Sequence, residues 1–158
     1  MSFSSNDFNS PSIEYLVEAT LKSRENFENY KGKSILVRTF ITNEDIQTQA
    51  LYQTGISCNG LIIYNRPQKL QKYRSINEKL QKKGIDKNFL GGKFPPGYSK
   101  LKFGIKLTPR QLIRRQFLLD VWVRRLFLKY SQFPNDISEI FRSFFNIDTK
   151  IHKIIVNK

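Results

Sequence analysis

The change of hydrophobic period at Arg66 constrains this chain more than any other feature. Ahead of it, two stretches rich in β-branched and aromatic residues, 34–41 and 50–57, flank the turn cluster Thr42-Asn43-Glu44-Asp45. Asn59-Gly60 then separates the second stretch from a third, 61–64. Asn-Gly supplies the positive φ that a two-residue hairpin needs, so the three stretches predict an antiparallel meander. Beyond Arg66, Leu70, Tyr73, Ile76 and Leu80 recur every three or four residues, and Gly84 stands where a helix would stop. Strands followed by helices define an α+β chain: a three-stranded β-meander packed against a helical subdomain of three to four helices.

The flanking segments fill in the order. Residues 1–12 are rich in Ser and Asn and read as a disordered lead-in. Ile13, Leu16, Val17 and Leu21 have helical spacing, with Phe27 and Tyr30 beyond; a helix over 13–30 fits, and a first strand over 13–19 fits as well. Residues 88–104, NFLGGKFPPGYSKLKFG, carry four glycines and two prolines and predict an irregular loop. Thr108-Pro109-Arg110-Gln111 combines an N-cap, a proline at the first helical position and Gln three residues after the cap. The run 112–130 behind it is apolar over most of its circumference, as in a helix buried mid-fold. Pro134-Asn135-Asp136 opens a last helix, with Asp136 and Glu139 spaced as a capping box and Ile137, Ile140, Phe141 and Phe144 as its buried stripe. These elements make one domain over 34–147, preceded by an extension, 1–33, and followed by a tail, 148–158, that packs as a short strand or frays.

Charge narrows the function classes. The chain has 27 Lys and Arg against 13 Asp and Glu, a formal net charge of +14. The excess lies behind residue 45, where 22 basic residues face six acidic ones. Such a body implies an anionic partner, nucleic acid or an anionic membrane surface, unless the charge only solvates the surface. One cysteine, Cys58, precludes an internal disulfide and fits a reducing compartment. The N-terminus lacks a signal or transit pattern, and no uncharged run is apolar enough to span a bilayer, so membrane contact would be peripheral. No catalytic residue, metal ligand or cofactor motif stands out. His152 is the sole histidine and reads as an exposed tail residue. Only Glu78, Asp86 and Asp120 are acidic between 62 and 130, and neither GxxxxGK[ST] nor GxGxxG occurs. An enzyme is not expected.

Between residues 62 and 130 there are 18 Lys and Arg, several at a strand end, in a loop and at a helix start, where side chains converge on one ligand. Asn65-Arg66-Pro67-Gln68-Lys69-Leu70 lies where the third strand meets the next helix. Phe94-Pro95-Pro96-Gly97-Tyr98-Ser99-Lys100-Leu101-Lys102-Phe103-Gly104 is a Pro-rich loop ending in Lys, a short hydrophobic stretch and Gly. Arg115 is followed four, seven and eleven positions on by Leu119, Trp122 and Leu126, with Arg114, Leu118 and Val121 as an alternative register. Over residues 34–147 this order resembles the PX (phox-homology) domain, the sorting-nexin-like phosphoinositide-binding module. The resemblance implies that Arg66 takes the 3-phosphate of the inositol ring. It further implies that Lys100 meets the 1-phosphate and that Arg115 or Arg114 bonds the ring hydroxyls. The family's first motif has a leading basic residue, an aromatic and a Ser where this chain has Asn65, Pro67 and Gln68. Beside the pocket, Phe94, Tyr98, Lys93 and Lys102 form a membrane-contact loop, joining weak headgroup recognition to basic and apolar contacts.

Three functions follow as expectations. The first is a module for an anionic membrane lipid, by resemblance phosphatidylinositol 3-phosphate, acting in trafficking at endosomal or vacuolar membranes. The second keeps the PX-like frame as a protein-interaction scaffold without a specific lipid site, its partner docking through residues 13–30. The third, nucleic-acid binding by the basic face, is disfavoured because no helix-turn-helix, RNP or zinc motif accompanies the charge.

Overall fold

A computed structural model describes residues 12–42, 50–96 and 107–157. The meander forms as read: β1 (Leu36–Ile41), β2 (Leu51–Cys58) and β3 (Leu61–Tyr64) are antiparallel in the order β1-β2-β3. Asn59 and Gly60 take φ of 51° and 81°, the left-handed pair that a tight hairpin needs. A two-residue strand, β4 (Gln68–Lys69), returns to pair with Leu51 and Tyr52 of β2. The chain thus runs along β2 twice.

The outer edge of β1 is closed by side chains rather than by another strand. Asp120 Oδ1 accepts the Thr39 N–H at 2.9 Å, and Gln116 Oε1 accepts the Ile41 N–H at 2.8 Å. Arg38 Nη1 donates to the Val37 carbonyl at 2.9 Å. Blocking exposed ladder groups this way prevents edge-to-edge pairing.

Six α-helices surround the sheet among the described residues. Of the two readings of the N-terminal segment, the helix forms: α1 (Ile13–Glu28) is capped by Ser12, and Leu16 and Phe27 are buried. The Phe27 ring lies over Gly55 of β2, where an added Cβ would meet ring carbon at 2.7 Å. Segment 13–28 therefore packs on the sheet as part of the fold rather than as a free extension. α2 (Leu70–Lys82) buries Leu70, Tyr73, Ile76 and Leu80, and its end closes with the Ile85 N–H on the Leu80 carbonyl at 2.9 Å.

The start of the expected loop instead forms a single helical turn, α3 (Lys87–Leu90), because Asp86 caps it, accepting from Asn88 N and Phe89 N. α4 (Pro109–Lys129) carries the full reciprocal capping box between Thr108 and Gln111. It is not buried all round: Phe117 and Leu128 are exposed. A 3-10 turn, Tyr130–Gln132, leads to α5 (Asn135–Phe145). The capping box expected at Asp136 and Glu139 is absent. The helix starts two residues earlier, with Pro134 at the N-cap, and Asp136 ion-pairs with Lys83 at 2.8 Å. The fully buried residues of α5 are Ile137, Phe141 and Phe145, with Ile140 and Phe144 partly buried against the core.

The C-terminal segment is neither strand nor frayed end. Asp148 accepts the Ile151 N–H at 2.8 Å and starts α6 (Thr149–Val156), which buries Ile151 and Ile155. His152 is half-buried, its Nδ1 2.6 Å from the Tyr130 hydroxyl, so it is not an exposed tail residue. No helix among the described residues is long and apolar enough to cross a membrane.

Candidate functional site

The site begins at Asn65, which is 2% exposed. Its backbone N–H donates to the Thr54 carbonyl at 3.1 Å, and its Oδ1 accepts the Thr54 N–H at 2.7 Å. Its carbonyl accepts from Gln53 Nε2 at 2.6 Å, and its Nδ2 donates to the Tyr73 hydroxyl at 3.2 Å. The side chain thereby bridges the gap in the β2 ladder between β3 and β4. Gln53 is itself gripped by Arg24 Nη2 of α1 at 2.9 Å, and the Arg24 guanidinium lies 4.5 Å from the centroid of the Tyr64 ring. A polar chain continues inward, from Tyr73 OH to Thr54 Oγ1 and on to Thr39 Oγ1, each step 2.9 Å. Burial pushes the Tyr73 hydroxyl up to about 12, against hydrogen bonds to Thr54 and Asn65 that lower it. A lysine or arginine at position 65 would put a charge into this closed network.

Arg66 is exposed on the residue after this pinned turn, and Pro67 beside it is exposed too. Because all four polar groups of Asn65 are bonded, the point from which the Arg66 side chain leaves is fixed before any ligand arrives. Pre-ordering of that kind removes part of the entropic cost of binding.

The start of the Pro-rich loop, at Phe94, is held between α2 and α4. The Phe94 ring packs edge-on against Trp122 at 4.7 Å, and the Arg74 guanidinium of α2 lies 5.6 Å from the centroid of the Phe94 ring. Phe94 is therefore half-buried and held by the core, which withdraws it from the expected membrane-contact set; Lys93 beside it is exposed. The Arg125 guanidinium occupies the space a Cβ would take at Gly92, and Lys129 Nζ lies 5.3 Å from the centroid of the Phe89 ring. Arg115 is only 5% exposed, whereas Arg114 is exposed. Arg115 precedes Trp122 by seven residues, about 10 Å along the same face of α4. Of the two registers read from the sequence, Arg115 thus shares the helix face on which Phe94 packs. Tyr98, Lys100 and Lys102 lie outside the described residues.

Arg74 and Arg125 complete the cationic surroundings of the loop, and the sequence reading missed both. Arg74 is flagged only by its place one residue after Tyr73, on the flank of the buried stripe of α2. Nothing local marks Arg125, whose contact with Gly92 spans 33 positions of chain. Among the described residues no group of His, Cys, Asp and Glu is placed to hold a metal ion. Segment 13–30, expected as a docking helix, buries Leu16 and Phe27 and exposes Tyr15 and Leu21.

Compared with known proteins, the chain matches no family model, no curated protein and no solved structure.

Proposed function

We propose that this chain is a PX-like, non-enzymatic module that binds a 3-phosphoinositide, with phosphatidylinositol 3-phosphate as the default ligand. It would bring itself or a partner to endosomal or vacuolar membranes. The observation that carries this reading is the presentation of Arg66: an exposed guanidinium on a turn whose preceding residue is locked by four hydrogen bonds. Guanidinium matches phosphate through two parallel N–H donors, and each charge-assisted bond is worth about 1.5–3 kcal/mol. Arg115 on the Phe94 side of α4 is the group for the ring hydroxyls. Lys93, together with Lys100, Lys102 and Tyr98, supplies the membrane-proximal contacts. With Pro67 in place of an aromatic, the ring gains no stacking face there, and the phosphate contacts carry more of the affinity.

Flotation on vesicles with and without phosphatidylinositol 3-phosphate tests this. Recovery rises with the phosphoinositide, and Arg66→Ala weakens that component about 10-fold or more, the equivalent of roughly 1.4 kcal/mol. Equal recovery on both vesicle types, or no loss in Arg66→Ala, refutes the specific site.

A further inference from the structure

On the far edge of the sheet, away from Arg66, α1, β1 and α4 enclose an open groove of about 480 Å³. The buried rings of Phe27 and Phe40 form its floor, Leu36 and Ile113 are half-buried beside them, and Phe117 is 61% exposed. Phe117, at the mouth of this cleft, is the apolar side chain available to a partner.

Basic residues outnumber acidic ones around the groove. Arg38 lines the groove, and at 100° per residue Arg110 and Arg124 fall on the same side of α4 as Phe117. On α1, Glu14, Glu18, Glu25 and Glu28 fall on the side of the helix opposite the groove residues Ser23, Asn26 and Phe27. The single carboxylate lining the groove, Asp120, is engaged by the Thr39 N–H and by Arg124 at 3.1 Å.

The backbone of β1 offers an incoming chain little. The Thr39 and Ile41 N–H groups are held by Asp120 and Gln116, and the Val37 carbonyl by Arg38, so a peptide cannot join as an added strand. Recognition must run through side chains. An apolar cleft with a basic rim and a sealed strand edge suits a helix that satisfies its own backbone, with apolar residues at i and i+4 and carboxylates beside them. A bilayer is the poorer fit, because a flat surface does not enter a concave cleft. We propose that the α1–β1–α4 groove docks an acidic amphipathic helix of a protein partner, with Phe117 as the apolar anchor and Arg110 as a rim charge. This surface is independent of the lipid reading, and either one stands if the other fails.

Selection of a displayed library of helical peptides on the full chain tests it, followed by fluorescence anisotropy with the enriched synthetic peptides. The expected peptides carry apolar residues at i and i+4 flanked by Asp or Glu. Phe117→Ser weakens them at least 10-fold with an unchanged circular dichroism spectrum. Arg110→Glu weakens them as well, and more strongly at low salt. The proposal is overturned if no such pattern is enriched, or if the enriched peptides bind Phe117→Ser as tightly as the parent chain. It is equally overturned if Phe117→Ser leaves peptide binding intact but abolishes binding to anionic vesicles, which would assign this face to the membrane.

Discussion

Asn65 stands where a PX-like pattern has a basic residue, and its burial gives the physical reason for the difference. Replacing it with Ala leaves the Thr54 N–H and the Tyr73 hydroxyl each short of a partner inside the fold. The expected cost is about 1–3 kcal/mol, read as a drop in urea midpoint without change in slope. Tyr73 makes the same network sensitive to alkali. Its folded value of about 12 lies above the ordinary 10.0, so the stability it contributes is complete below pH 10 and lost as pH rises toward 12. Tyr73→Phe therefore flattens the stability profile across that window relative to the parent chain, as measured by urea melts at stepped pH. The sequence placed Tyr73 on the buried stripe of α2 and Asn65 at the end of β3. It could not show that they meet, because their shared partner Thr54 lies 11 positions before Asn65 and is reached only when β2 and β3 pair.

Elements whose ends are marked by local chemistry were legible. The Asn59-Gly60 turn, the Leu70 to Leu80 stripe and the Thr108 capping box each specify their own backbone within a few residues, and each forms. α6 was read as strand or frayed end although its cap, Asp148, is also local. Its stability comes from elsewhere, through Ile151 and Ile155 in the core and His152 on Tyr130. Short helices are marginal alone and take most of their stability from packing, which a window of eight residues does not display. That docking carries a pH dependence. Burial, with the Arg142 charge adding to it, holds the His152 imidazole below its usual 6.5. A base lowered on folding contributes stability that is present above pH 6.5 and lost as pH falls through the folded value. The urea midpoint is therefore lower near pH 5 than near pH 7.5, and His152→Gln narrows the difference. Equal narrowing in a variant altered far from α6 would remove this explanation.

For the whole molecule, a net charge of +14 predicts attraction to any anionic surface, and salt separates that attraction from a built site. Screening shortens from about 10 Å at 0.1 M to about 3 Å at 1 M salt. Flotation on phosphatidylserine vesicles alone should thus fall steeply as salt is raised, whereas the increment from phosphatidylinositol 3-phosphate, and its loss in Arg66→Ala, persists longer. If both decline in parallel, the charge acts only as a general field. The sequence by itself determined the α+β class, the meander, three of the helices and the basic character of the body, because hydrophobic period, turn residues, caps and charge act over a few residues at a time. Only the tertiary structure decided that α1 and α6 belong to the core and that Asn65 is a buried lock. It alone seated Phe94 on Trp122 and put Arg115, rather than Arg114, on the Phe94 side of α4. Those outcomes depend on side chains far apart in the chain reaching one place, and burial there, not local propensity, sets what each residue does.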